Sequence, residues 1–257
     1  MTREPPVDAE LASAVGGRTL EVFSDTPGLN RWLYSKLAPH IRGDVLEIGS
    51  GIGNLSRLIV AAARPEDRVV LTDMEPRYLD ALTAAFTGDA RVEVVGFDLE
   101  GPPPPKVANR QFDSIVAVNV IEHIRDDAAL VQALASMLRP GGRLVVYVPA
   151  CPFAYGSMDR ALGHYRRYTR RTLAGLLSAA GLATETPRYI NLLGLLGWAI
   201  NGRLFRRTYL SRLQIRVFER LLPLFRLEDL VPLPLGLGLY ASAAKSGEPT
   251  GGVETRR

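Results

Sequence analysis

The 257 residues carry 31 Lys and Arg against 27 Asp and Glu, a formal charge of +4, and 47% are hydrophobic, enough to bury one full core. Cys151 is the only cysteine, which excludes an internal disulfide and a multi-thiolate zinc site. The basic excess is nearly all arginine, scattered rather than set in a stripe interleaved with aromatics, so no nucleic-acid partner is expected.

Residues 1–29 are rich in Gly, Pro and Asp and read as a flexible N-terminal arm; positions 1–10 are polar, without an apolar secretion core, and a cytoplasmic location is expected. Trp32, Leu33 and Leu37 then recur at helical spacing over 30–40. Strands over 45–48, 68–72, 92–97, 114–118 and 144–148 alternate with helices over 55–63, 77–86 and 128–138, followed by a helix over 170–180 and a strand over 183–189. That rhythm predicts an α/β fold with a parallel, doubly wound sheet. Pro140-Gly141-Gly142 reads as the stop of one helix and the turn into the next strand, and Thr169 and Gly181 as the caps of another. Pro102 to Pro105 read as a rigid surface loop. Residues 191–231 break the rhythm as a helical insert, with Leu210, Leu213, Val217 and Leu221 on one side and Arg212, Arg216 and Arg220 on the other. A strand over 237–244 closes a single domain spanning 30–245, and 246–257 read as a disordered tail.

The strand over 45–48 runs into Gly49-Ser50-Gly51-Ile52-Gly53 and then a helix, a bend whose glycines let the backbone approach a ligand closely. The second strand ends at Asp73, placed to accept both hydroxyls of a ribose; the third ends at Phe97-Asp98 and the fourth at Asn119. A nicotinamide or flavin enzyme shares the bend and the acid. Its fingerprint, however, wants a third glycine where this chain has Asn54, which favours a ligand without a pyrophosphate.

Residues 45–53 resemble motif I of the class I S-adenosylmethionine (SAM) dependent methyltransferases, and Leu71-Thr72-Asp73-Met74 resembles their acidic second motif. Phe97-Asp98-Leu99, the stretch from Phe112 through Asn119 to Glu122-His123-Ile124, and Leu138-Arg139-Pro140-Gly141-Gly142-Arg143-Leu144 match later motifs in order, over residues 30 to 150. The resemblance implies a Rossmann-like sheet of seven strands, the last antiparallel beside strand six at an edge hairpin. It implies SAM as cofactor and S-adenosylhomocysteine (SAH) as product. Gly49, Gly51 and Gly53 would then line the methionine and ribose part, Asp73 hold the ribose, Met74 pack on adenine and Asp98 bind its amino group, with Asn54 and Leu99 as further cofactor contacts. Asn119 would sit near the methionine end, and Glu47 face the amino-acid moiety through backbone or water.

The segment 151–169 is expected as a lid over the strand ends where the acceptor enters, and Gly163-His164-Tyr165-Arg166-Arg167-Tyr168 is similar to a stretch in a bacterial subfamily acting on small molecules. Tyr155, Asp159, Tyr165, Arg166, Arg167 and Tyr168 are its acceptor-contact candidates, with the arginines suited to a carboxylate or phosphate, or else to tying the lid to nearby acids. His123 and His164 are the general-base candidates, since imidazole titrates nearest neutrality, with a structural role as the alternative. Glu122, Asp126 and Asp127 lack the spacing of a dedicated metal loop, so no metal is expected. The apolar run 192–200 is too short to span a bilayer, and it reads as a pocket wall, a homodimer contact or a membrane-surface contact. The resulting expectation is methyl transfer to an oxygen or nitrogen of a small-molecule acceptor, anionic or lipophilic, of natural-product, sugar or glycolipid type, by a monomer or homodimer. C-methylation of a prenyl or aromatic acceptor, and a SAM-binding cyclase or scaffold that transfers nothing, are the alternatives.

Overall fold

The computed structural model describes residues 15–17, 21, 26–208, 212–225, 228 and 231–246, so most of the predicted arm and nearly all of the predicted tail lie outside the described residues. Helix α1 (Pro27–Leu37) starts inside the predicted arm, with proline in its first turn, where a missing N–H costs nothing. It buries Leu29, Trp32 and Leu37.

The predicted alternation follows as β1 (Val45–Ile48), α2 (Ser56–Ala62), β2 (Val69–Asp73), α3 (Pro76–Ala85), β3 (Val92–Gly96), one-turn α4 (Pro105–Ala108), β4 (Phe112–Val118), α5 (Asp127–Ser136) and β5 (Leu138–Pro149). Beyond these come α6 (Ser157–Ala161), α7 (Arg170–Ala179), β6 (Leu182–Thr184), β7 (Arg188–Ile190), α8 (Leu192–Ala199), α9 (Arg212–Arg220), α10 (Leu222–Phe225) and β8 (Gly238–Lys245). One eight-stranded sheet runs in the order β3-β2-β1-β4-β5-β8-β6, with β7 also on β8. Strands β1 to β5 are parallel and β8 is antiparallel to β5. The order reverses between β1 and β4, and open α/β sheets take their ligands in the crevice at that point. Residues of β1, β2, β4 and β5 are buried on both faces, which is why they read as unbroken apolar runs.

Several expectations are corrected. The strand over 183–189 is two, because four steps from Thr184 to Arg188 oppose three from Ala243 to Tyr240, and Pro187 within the extra length has no N–H for the ladder. The last strand is not at an edge but between β5 and β6. Helix α5 stops at Ser136, before Pro140-Gly141-Gly142, and the turn lies within β5: Leu138 opposes Phe112 and Arg143 opposes Ser114, so residues 139–142 bulge, with Gly141 at φ +76°. That bulge aims Arg139 at Asp44, 2.7 Å away, and at Asp113. Pro105 starts α4 instead of extending the loop, as its fixed φ permits. In the insert, Leu213, Val217 and Leu221 are exposed, Leu213 at 71%, while Ile215 and Phe225 are buried and Phe218 and Leu222 pack with Trp32 and Leu29. Leu210 lies outside the described residues. Among the described residues no helix is long and apolar enough to cross a membrane.

Candidate active site

The bend after β1 is left-handed at every glycine, with φ +67° at Gly49, +55° at Gly51 and +81° at Gly53. A side chain at Gly49 would put its Cβ 2.6 Å from the Cγ2 of Val120, so the ends of β1 and β4 can approach only because Cβ is absent. Asp73 braces the bend: its Oδ2 accepts from the Gly51 amide at 2.8 Å and its Oδ1 from the Glu75 amide at 3.0 Å. A carboxylate offers about four lone-pair sites, so capacity for two hydroxyls remains. Met74, next in sequence, is 63% exposed, an apolar surface left uncovered on the rim. Asp98 is exposed just past β3, its Oδ1 accepting from the Glu100 amide at 3.0 Å, and Leu99 packs against the core. Asn54 is half-buried at the head of α2. Asn119 ends β4 exposed at φ +53°, its amide donating to the Tyr147 carbonyl at 2.8 Å. Glu47, next to last in β1, is buried and accepts from the Ser56 hydroxyl.

Past Asn119 a 3₁₀ turn, Ile121–His123, carries Glu122 and His123. The segment after β5 docks on that turn through the Tyr165 amide, which donates to the Glu122 carbonyl at 2.8 Å. This brings His164 to Glu122, with Nε2 4.0 Å from Oε1, and sets its ring edge-on to His123 at 4.7 Å between centroids. The Nδ1 of His164 stands 3.1 Å from Asp159 Oδ1. Asp159 is wholly buried and also accepts from Arg167 Nε at 2.7 Å, the Gly156 amide at 2.9 Å and Trp198 Nε1 at 3.1 Å. Arg167 gives its Nη1 to the Ala150 carbonyl at 2.8 Å. Arg166 pairs with Asp127 at 2.8 Å and donates to the Arg125 carbonyl at 2.7 Å, while the Tyr168 hydroxyl donates to Asp127 at 2.8 Å. The Tyr155 hydroxyl donates to the His164 carbonyl at 2.7 Å, and Tyr165 is 46% exposed.

A family model described as a methyltransferase domain matches residues 19–186, well over half of the chain. The chain belongs to that family. A ubiquinone biosynthesis O-methyltransferase of Xylella fastidiosa is 35% identical over 117 residues, 44% of each chain, so the match spans under half of that relative's length. A probable SAM-dependent methyltransferase of Mycolicibacterium smegmatis is 32% identical over 193 residues, 69% of each chain. In fold, the methyltransferase is similar to the N-methyltransferase NodS of Bradyrhizobium japonicum bound to SAH, with a TM-score of 0.53 at 16% identity and 84% of each chain covered. The domain is a class I methyltransferase domain whose cofactor is SAM. Its own residues fit that group: a glycine bend that a Cβ would block, an acid at the end of β2 and an exposed methionine beside it.

The structure gathers Gly49, Gly51, Gly53, Asp73, Met74 and Asn119 of the methyltransferase at the carboxyl ends of its strands, with Glu47 buried one residue before the end of β1. In the 151–169 segment it turns Asp159, Arg167 and Tyr168 inward, engaging their polar groups with one another, with Asp127 and with the backbone. It also joins Glu122, His123 and His164, a cluster that the reading of Glu122 with Asp126 and Asp127 overlooked. Asp126 instead caps α5 through the Ala129 amide at 3.0 Å. The recurrence of Asp159, His164 and Arg167 within one short segment was the available signal. Burial pushes the Glu122 carboxyl up to about 7 and, with help from His164, pulls the His123 imidazole down to about 3. In Asp159 burial acts upward, but His164 and Arg167 outweigh it and hold the carboxyl below its usual range.

Burial also raises Glu47 to about 7, against the Ser56 hydroxyl that lowers it. A carboxyl raised on folding binds its proton more tightly in the native state, so stability is highest below the unfolded pKa of 4.5 and falls as the pH rises toward 7. Glu47→Gln is expected to remove on the order of 3 kcal/mol of that decline. Denaturant melts of the cofactor-free protein at pH 5 and pH 8 test this, and an equal decline in the variant would refute it.

Proposed function

We propose that the protein transfers the methyl group of SAM to an oxygen or nitrogen of a small-molecule acceptor of natural-product, sugar or glycolipid type, releasing SAH. The observation that carries this reading is the adjacency of two differently built halves. Asn119 ends the cofactor rim, and the imidazole-carboxylate cluster of Glu122, His123 and His164 begins three residues later, where an acceptor hydroxyl or amine finds polar partners. Bound SAM supplies a methyl on a charged sulfur that carries its own leaving group, so the chain's task is to orient and desolvate. Gly49, Gly51 and Gly53 line the cofactor, Asp73 takes the ribose hydroxyls, Met74 lies against adenine and Asp98 meets its edge. His123, pulled down to about 3, is too weak a base to carry a proton near neutrality, and it serves as a hydrogen-bond acceptor that orients the incoming group. The 151–169 segment acts as the lid, with exposed Tyr165 toward the acceptor and Asp159, Arg166, Arg167 and Tyr168 holding its shape.

The relative named as a ubiquinone biosynthesis O-methyltransferase favours an oxygen acceptor. The spent guanidinium of Arg167 argues against its serving an anionic acceptor. Incubating the protein with SAM and a panel of catechols, hydroxylated quinols and sugars is expected to give SAH in equal amount to an O-methyl product. SAM that stays intact with every acceptor, while binding measurably, would identify a scaffold instead, and a new carbon-methyl bond in the product would identify a C-methyltransferase.

A further inference from the structure

Glu122 is 0% exposed, and among the described residues neither carboxylate oxygen has a hydrogen-bond partner. An uncompensated buried carboxylate costs several kcal/mol, so a proton or a cation must satisfy it. The surroundings are built for a cation. The Nδ1 of His164 is engaged by Asp159 Oδ1 at 3.1 Å, which fixes the tautomer and leaves the Nε2 lone pair turned to Glu122, 4.0 Å from Oε1. A carboxylate behind a histidine in this way is the usual outer support of a metal-bound imidazole. Arg167, Gly156 and Trp198 hold that carboxylate in turn, so the support is rigid.

His123 completes the set: one ligand atom each from Glu122, His123 and His164 lies within 4.8 Å of the others. Three ligands at the ~2.1 Å bonds of a tetrahedral zinc stand ~3.4 Å apart, so an inward shift of each side chain by up to about an ångström closes the site. Two imidazoles with one carboxylate suit a borderline transition metal, whereas magnesium prefers oxygen donors and retained water. We propose that Glu122, His123 and His164 bind one divalent transition-metal ion of the zinc class, with an open position for an oxygen of the acceptor. The ion's binding stands alone, while its use on an acceptor rests on the proposed function. With the ion bound, His123 turns its lone pair from the acceptor to the metal, which then lowers the pKa of a bound hydroxyl.

The chain has only three histidines, which makes the test clean. Protein stripped with a chelator and titrated with zinc chloride in a calorimeter is expected to take up one equivalent. Glu122→Gln and His164→Gln are expected to weaken uptake at least ~100-fold, and His123→Ala, at a half-buried position, provides a variant that spares the lid core. His40→Gln, on the 3₁₀ turn after α1, is expected to bind zinc as the parent does. SAH affinity, measured on each variant, reports an intact fold. Wild-type protein that binds SAH and no zinc overturns the proposal, as does undiminished zinc uptake by Glu122→Gln or His123→Ala, or a preference for magnesium over zinc. Zinc uptake lost in the expected variants from a protein that never binds SAH would remove the methyl-transfer reading and leave the metal site standing.

Discussion

Asp159→Ala is expected to lower the unfolding free energy by about 3 to 5 kcal/mol. The reason is what remains behind. Arg167 is buried, and its Nε loses a partner at 2.7 Å, while His164, the Gly156 amide and Trp198 each lose an acceptor. An unpaired buried guanidinium is far costlier than the pair it came from is favourable. For a chain of this length the loss corresponds to a fall in Tm on the order of 10 °C. Pairing the change as Asp159→Leu with Arg167→Met is expected to recover part of it, since a packed apolar pair leaves no charge to satisfy. Urea melts measure both, and a loss below ~1 kcal/mol for Asp159→Ala would show that water reaches this cluster.

Asp73→Ala is expected to weaken SAM binding by roughly 100-fold or more, while Asp73→Asn loses less because it retains one acceptor oxygen. Hydrogen bonds from two hydroxyls to a charged carboxylate are each worth about 1.5 to 3 kcal/mol, and ~1.4 kcal/mol is tenfold in affinity. The carboxylate also holds the Gly51 amide at 2.8 Å, so its removal loosens the bend at the same time. Burial raises the Asp73 carboxyl, and the amides of Glu75 and Gly51 oppose that rise, favouring the charged acceptor form. Calorimetric titration with SAH reads the effect. An affinity within twofold of wild type, in a folded variant, would mean that the ribose lies elsewhere.

The glycine bend and its acidic brace were legible in the sequence because their determinants are local. A strand, three glycines and a helix occupy consecutive positions, and an acid closes the next strand, so neighbouring residues already specify the bend and its brace. Glu47, two residues before the first glycine of the bend, is buried against the Ser56 hydroxyl, a contact between strand and following helix that the sequence does not announce. Arg166 and Arg167 had two readings in the sequence, toward an anionic acceptor or toward acids within the segment. Only their distances to Asp127 and Asp159 select the second.

The sequence by itself settled the doubly wound architecture, the glycine bend and the acid that serves it, since strand and helix periods and glycine's freedom at positive φ act over a few neighbouring residues. Tertiary structure alone decided which apolar row of α9 faces inward. Leu213, Val217 and, just past the helix, Leu221 compete with Ile215, Phe218 and Leu222 at equally helical spacing; Ile215 is the buried one, and Phe218 and Leu222 pack in the cluster of Trp32 and Leu29 on α1. It also joined Glu122 to His164 across a long stretch of chain, through one amide of Tyr165. A pairing of that kind depends on how β4 and β5 lie side by side, and no local pattern encodes the distance between two strand ends.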